Sequence, residues 1–199
     1  MTPSTVATID REQIGRVLHR LFIGVPGTDM RDEDRCKVEE MQGLLKELAA
    51  TVVRHHRLLE RWLTDVLGLD WASADAEAQR LAPGLSDEVA DRLAEHLGQP
   101  DTCPHGNVIP GRSVPYGTLV AVADLEPGQA AVVRRISEVA EHDAPQVLRL
   151  LEAAGVVPGT LVEVSEAGAG LGAVGLRIGE EVVPLGLDIA RFVWAEPQA

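Results

Sequence analysis

Cysteine is scarce: Cys36 and Cys103 are the only two in 199 residues, and they stand far apart outside any C-x-x-C spacing. That excludes a disulfide framework and a zinc ribbon and leaves two reduced thiols as the expectation. Basic residues are also short, with 18 Lys and Arg against 31 Asp and Glu for a formal charge of −13. Such a balance opposes wholesale attraction to phosphate backbones. No apolar run approaches the length needed to span a bilayer, and the N-terminus lacks the basic start and apolar stretch of a signal peptide. The chain therefore reads as cytoplasmic, with no membrane partner. No Ser-His-Asp or Cys-His nucleophile arrangement stands out. The run Gly168-Ala169-Gly170-Leu171-Gly172 lacks the lysine and the following helix of a phosphate loop, so a tight hairpin is expected there.

What is present is enough apolar residue, 45%, to bury a core, in a chain with room for two domains. A short amphipathic helix is expected over Thr8–Phe22, ended by Gly24, Pro26 and Gly27. From about Asp32 to Leu67, Val38, Met41, Leu44, Leu45, Leu48, Val52, Leu59, Trp62, Leu63 and Val66 recur at threes and fours without a proline. That spacing predicts one long helix, or two in line with a bend near Gly43. Asp70 can cap a third helix that Pro83-Gly84 stops near Leu81, and Ser86 opens a fourth that ends near Gly98. After Pro100 turn residues crowd together, and short strands follow at 117–120, 129–136, 161–164, 174–178 and 181–185, with a helix over 144–154.

The chemistry begins on the second predicted helix. In Val53-Arg54-His55-His56-Arg57-Leu58-Leu59-Glu60, His56 and Glu60 stand four residues apart, so both project from one face where a divalent cation could reach them. Taken alone the pair is an ordinary surface i,i+4 pairing. His55 points about a hundred degrees away by helical geometry and is expected to be solvated. His105, in a Cys-Pro-His-Gly turn without a second Cys or His at ligand spacing, is expected to be structural.

The order of Val53–Leu63, Leu67-Gly68-Leu69-Asp70-Trp71, Leu85-Ser86-Asp87-Glu88-Val89 and Cys103-Pro104-His105-Gly106-Asn107-Val108-Ile109-Pro110-Gly111 resembles the metal-binding and dimerisation domain of the iron-dependent repressors, the diphtheria toxin repressor family. Leu125-Glu126-Pro127-Gly128-Gln129, Leu151–Gly159 and Leu185–Ala190 resemble the FeoA-type, SH3-like domain that follows it in longer members. The resemblance implies an α+β chain. Residues 1–31 would hold an N-terminal helix and loop, 32–111 the helical metal-binding and dimerisation domain, and 112–199 an SH3-like β-barrel.

It further implies an ancillary metal site that joins the two domains. His56 and Glu60 match two of its ligands, Asp75 stands where relatives place a histidine, and Asp143 and Gln146 match the pair sent in from the SH3-like domain. By local structure alone, Asp143 and Pro145 could simply begin a helix. The N/O set suits Fe²⁺, Mn²⁺ or Co²⁺. The primary-site positions carry Gln79, Ala82 and Pro83, so that site is expected to be lost. About thirty residues precede the long helix, where relatives carry a winged helix-turn-helix. With the charge of −13, this weighs against direct DNA contact. The expected function is a divergent, metal-responsive (Fe²⁺/Mn²⁺) transcriptional regulator, not an enzyme. It would form a homodimer, or a heterodimer with a full-length relative, through helices bearing Trp62, Leu63, Val66, Leu93 and Leu97. The alternative is a metal-dependent enzyme or metal carrier on the same scaffold.

Overall fold

The computed structural model describes residues 32–138, 140, 144–165 and 172–198, with backbone alone for 32–42. The expected helix over Thr8–Phe22, residues 168–171 of the expected glycine hairpin, and Asp143 lie outside the described residues. Two compact units are present, Met1–Leu48 and Ala49–Ala199, and every side chain of the site below belongs to the second.

Helix α1 runs unbroken over Asp32–Asp65, through Gly43. Leu58, Leu59 and Leu63 are buried along it. Gly68, at φ 70°, ends this segment, with the Gly68 and Leu69 amides donating back to the carbonyls of Thr64 and Leu63. Helix α2 spans Trp71–Leu81, capped by the Asp70 side chain, which accepts from the Ser73 amide. Helix α3 spans Asp87–His96, capped by Ser86, with Asp87 and Glu88 at the positive end of its dipole. Leu59 and Leu63 pack with Ala74, Ala78 and Ala82 of the α2 segment, and Leu58 with Ala90 and Ala94 of α3 and Ile109. The alanines let the helices approach closely, and each buried leucine contributes about 1.5–3 kcal/mol. Leu63 is therefore core within the chain and is not left over for a partner, as the periodicity alone suggested. Among the described residues of this helical part, Leu44, Leu48, Val52, Val66, Leu67, Leu81 and Val89 are exposed large apolar residues.

The rest is an antiparallel sheet of six strands: β1 (Val120–Ala121), β2 (Ala130–Ile136), β3 (Leu161–Ser165), β4 (Ala173–Ile178), β5 (Glu181–Gly186) and β6 (Val193–Pro197). Their order is β1-β6-β2-β3-β4-β5. The edge strands β1 and β5 are not paired with each other, so the SH3-like sheet is open where a closed barrel was expected. Helix α4 (Pro145–Ala153) precedes β3, and the single turn α5 (Leu187–Ala190) precedes β6. Strand β6, absent from the sequence-based reading, pairs with both β1 and β2. Along β2 a register shift between Val133 and Arg135 resets the alternation, so that Ala131, Val133 and Ile136 all face the core.

One packing feature positions the site. Trp71 and Ala72, at the start of α2, belong to the hydrophobic core of the sheet with Val133, Ile136, Leu148 and Leu151. The Trp71 amide donates to Glu152 on α4 at 3.0 Å, and Arg149 stands 3.6 Å from Asp70. Helix α2 is thus anchored in the sheet at one end and in the helical cluster along its length.

Candidate metal centre

Three segments converge on one carboxylate. Glu60, fully buried on α1, lies 3.4 Å from Nε2 of His56 one turn earlier and 3.2 Å from Nδ1 of His105. Asp75, from α2, lies 3.2 Å from the same His56 nitrogen. Ligand atoms of His56, Glu60 and Asp75 all lie within 4.8 Å of one another, and so do those of Glu60, Cys103 and His105.

Helical geometry explains His56 and Glu60, which share a face because they are four residues apart. Asp75 joins them because it lies one turn beyond Trp71, on the face of α2 turned toward α1. Cys103 and His105 are delivered by a tight turn docked on β2. The Cys103 amide donates to Asn107 O at 2.9 Å, and the Ile136 amide donates to His105 O at 2.8 Å. Asn107 Nδ2 donates to Ile136 O at 3.0 Å. Gly106 makes this docking possible: at φ 85°, a Cβ there would stand 2.0 Å from Arg134 O. His105 is fully buried and meets Trp71 edge to face. Arg57 adds a further tie, donating to Val108 O and to the Glu138 carboxylate.

Burial alone would push the His56 imidazole down, but the carboxylates of Asp75 and Glu60 raise it to about 10. Burial would likewise push the Glu60 carboxyl up, yet His105 and His56 hold it below the usual carboxylate range. Neither Glu60 oxygen has a hydrogen-bond partner of normal geometry. A buried carboxylate left without a cation costs several kcal/mol, so the pocket is built for positive charge. Imidazole and carboxylate are the donor types that intermediate divalent metals take, and the donor set fits such an ion.

Of the five ligands expected from sequence, the structure brings His56, Glu60 and Asp75 together. Gln146 is exposed in the first turn of α4, a helix packed against α2. Asp143 lies outside the described residues, and Ala144 holds the N-cap position of α4. His55 departs from expectation: it is buried, with Nε2 3.0 Å from Asp87, because α3 packs over that face of α1. His105 sits in the turn expected for it, and there it faces the Glu60 carboxylate. Its Cys-Pro-His spacing was visible, but the carboxylate it faces lies far upstream in sequence.

Residues 46–111 match the family model described as the iron dependent repressor, metal binding and dimerisation domain, and residues 120–197 match the FeoA domain. The iron-dependent repressor IdeR of Mycobacterium leprae is 36% identical over 162 residues, covering 76% of this chain and 70% of that protein. The IdeR of Mycobacterium tuberculosis is 38% identical over the same shares. The chain belongs to the iron-dependent repressor family. Among solved structures, a manganese-dependent transcriptional repressor in complex with manganese superposes with a TM-score of 0.67 at 31% identity, covering 75% of this chain and 71% of that one. IdeR of T. acidophilum superposes with a TM-score of 0.64 at 26% identity, over 75% and 68%. The manganese-dependent relative is named as a transcriptional repressor, and along this chain the metal-binding and dimerisation match precedes the FeoA match. At the positions expected to have lost the family's primary site, Gln79 is exposed, Ala82 is buried against Leu59 and Leu63, and Pro83 is exposed. Alanine and proline side chains offer no donor atom.

Proposed function

We propose that this protein is a metal-responsive transcriptional regulator whose sensing site is His56, Glu60 and Asp75, completed by Asp143 and Gln146. The observation that carries it is the fully buried Glu60 carboxylate, which shares the His56 imidazole with Asp75. Fe²⁺ or Mn²⁺ is the favoured ion, with Co²⁺ as a substitute, because every donor in this set is nitrogen or oxygen. A bound dication would supply the positive charge that Glu60 and Asp75 require and would tie α1 to α2.

Because α2 also anchors the sheet through Trp71, a change in its position is felt by both halves of the unit, which makes it the two-state element. The regulator would act in the cytoplasm as a homodimer, or as a heterodimer with a full-length relative, using the exposed apolar residues Val66, Leu67 and Val89. Its charge of −13 favours acting through such a partner over holding DNA alone.

An enzyme or carrier would need a metal face open to a concave pocket. Here Glu60 is sealed, and a cavity of about 200 Å³ lined by Leu125, Val164, Val174 and Leu187 lies in the sheet, with none of the clustered residues in its wall. The regulator reading is the one the geometry favours.

Anaerobic calorimetry with Fe²⁺ and Mn²⁺ tests the site. Saturable binding to the native protein, abolished in a His56→Ala, Glu60→Ala variant, is expected. Absence of binding in the native protein would remove the sensor reading and leave a dimerisation scaffold.

A further inference from the structure

Glu60 is common to two donor groups that do not merge. One consists of His56, Glu60 and Asp75, and the other of Glu60, Cys103 and His105. Cys103 Sγ stands 3.8 Å from His105 Nδ1, and that same nitrogen stands 3.2 Å from Glu60 Oε1. Donors around a single ion at about 2.0–2.3 Å stand at most about 4.6 Å apart. Each group separately meets that limit to within a fraction of an ångström, and the five residues do not form one group. Two ion positions fit the arrangement, with Glu60 between them.

We propose that Glu60 is a bridging ligand, holding one divalent transition-metal ion with His56 and Asp75 and a second with Cys103 and His105. The inference rests on the sensing site proposed above and extends it to a dinuclear centre. A carboxylate has two oxygens and about four lone-pair directions, and neither oxygen of Glu60 makes a hydrogen bond of normal geometry. Carboxylate-bridged metals stand about 3.5–4 Å apart, a spacing within reach of two donor groups that share one side chain.

Charge favours the pair. Glu60, Asp75 and a Cys103 thiolate carry three negative charges, so two dications leave a net of one positive charge in a buried pocket. The second position differs in kind: its thiolate makes it the softer one, suited to Co²⁺, Zn²⁺ or Fe²⁺ more than to Mn²⁺. The centre would therefore respond to which metals are present together, and not only to how much of one.

The test is an anaerobic Co²⁺ titration of the full chain, with bound metal counted after equilibrium dialysis and the thiolate-to-cobalt charge-transfer band followed in the near ultraviolet. Two ions per protomer and a charge-transfer band are expected. Cys103→Ser, nearly isosteric, should lose the band and one ion. His56→Ala should lose one ion and keep the band. Glu60→Gln should weaken both positions by at least about tenfold. His105→Gln repeats the Cys103 test should that variant fold poorly by circular dichroism. One ion without the band in the native protein would overturn the bridge and leave the sensing site standing. One ion with the band, kept in His56→Ala, would overturn both, and so would no binding at all.

Discussion

The indole of Trp71 meets the imidazole of His105 edge to face, with ring centroids 4.9 Å apart and planes inclined at 83°. Trp71 is the first residue of α2 and a member of the sheet's core, while His105 is one of the two imidazoles on Glu60. This single contact joins the sheet, the buried side-chain cluster around Glu60 and the helix that delivers Asp75.

Trp71→Ala should therefore act in two ways. Loss of a buried indole costs about 3–5 kcal/mol, read as a lower midpoint in urea denaturation. Release of the α2 start should also loosen Asp75 and weaken metal binding in the calorimeter. Unchanged metal affinity in a folded Trp71→Ala protein would show that α2 holds Asp75 without the anchor.

The turn that carries His105 depends on glycine. Gly106→Ala meets two penalties: a left-handed backbone, at about 1–2 kcal/mol, and a Cβ placed 2.0 Å from the Arg134 carbonyl. Gly128→Ala, at φ 81° with open space around it, carries the first alone. Chemical denaturation of the two variants should show Gly106→Ala as the more destabilised by at least about 1 kcal/mol. Equal losses would mean that the turn can lift off β2 freely.

Asp70 caps α2 through the Ser73 amide at 3.1 Å, so Asp70→Ala should cost about 1 kcal/mol. The Ser73 hydrogen bonds hold the Asp70 carboxyl below its ordinary value of 3.8. A folded-state value depressed in this way adds stability that is present above the unfolded value and is lost as pH falls through the folded one. The gap between native and variant, measured by thermal melts from pH 7 downward, should close in acid.

His56 behaves in the opposite sense. Its value is raised from 6.5 to about 10, so its contribution to the metal-free fold is complete below the unfolded value of 6.5 and is lost as pH rises through about 10. His56→Ala should be most destabilised below about pH 6.5, by about 3–5 kcal/mol, with the difference shrinking as pH rises toward about 10. Metal uptake must also expel this proton. Calorimetry in buffers of different ionisation enthalpy should detect at least about one proton released per ion, and affinity should fall as pH is lowered.

Much of the helical part was legible in the chain. The absence of proline over 32–67, the caps Asp70 and Ser86, and the stop at Pro83-Gly84 each act over a few residues, and helices α1, α2 and α3 begin and end close to where those residues put them. Strands β2, β3, β4 and β5 were legible for the same reason, and β1 only at its first residue, Val120. Strand β6 was not, although Phe192-Val193-Trp194-Ala195 is a short apolar run with strand-favouring residues, because its meaning comes from pairing with β1 and β2, both distant in sequence. The open edge between β1 and β5 was equally beyond a local pattern.

The site divides along the same line. His56 and Glu60 were visible as a pair because helical spacing places them on one face whatever surrounds them, and Asp75, Asp143 and Gln146 were named only through a family resemblance. That Glu60 is sealed from solvent, that His55 is buried against α3, and that Cys103 and His105 arrive at the same carboxylate were decided by packing. Short-range rules determine which residues share a helix face or a turn, since those depend on backbone geometry alone. Which faces meet, and hence which charges must neutralise one another without water, is settled only when α1, α2 and the turn on β2 close around Glu60.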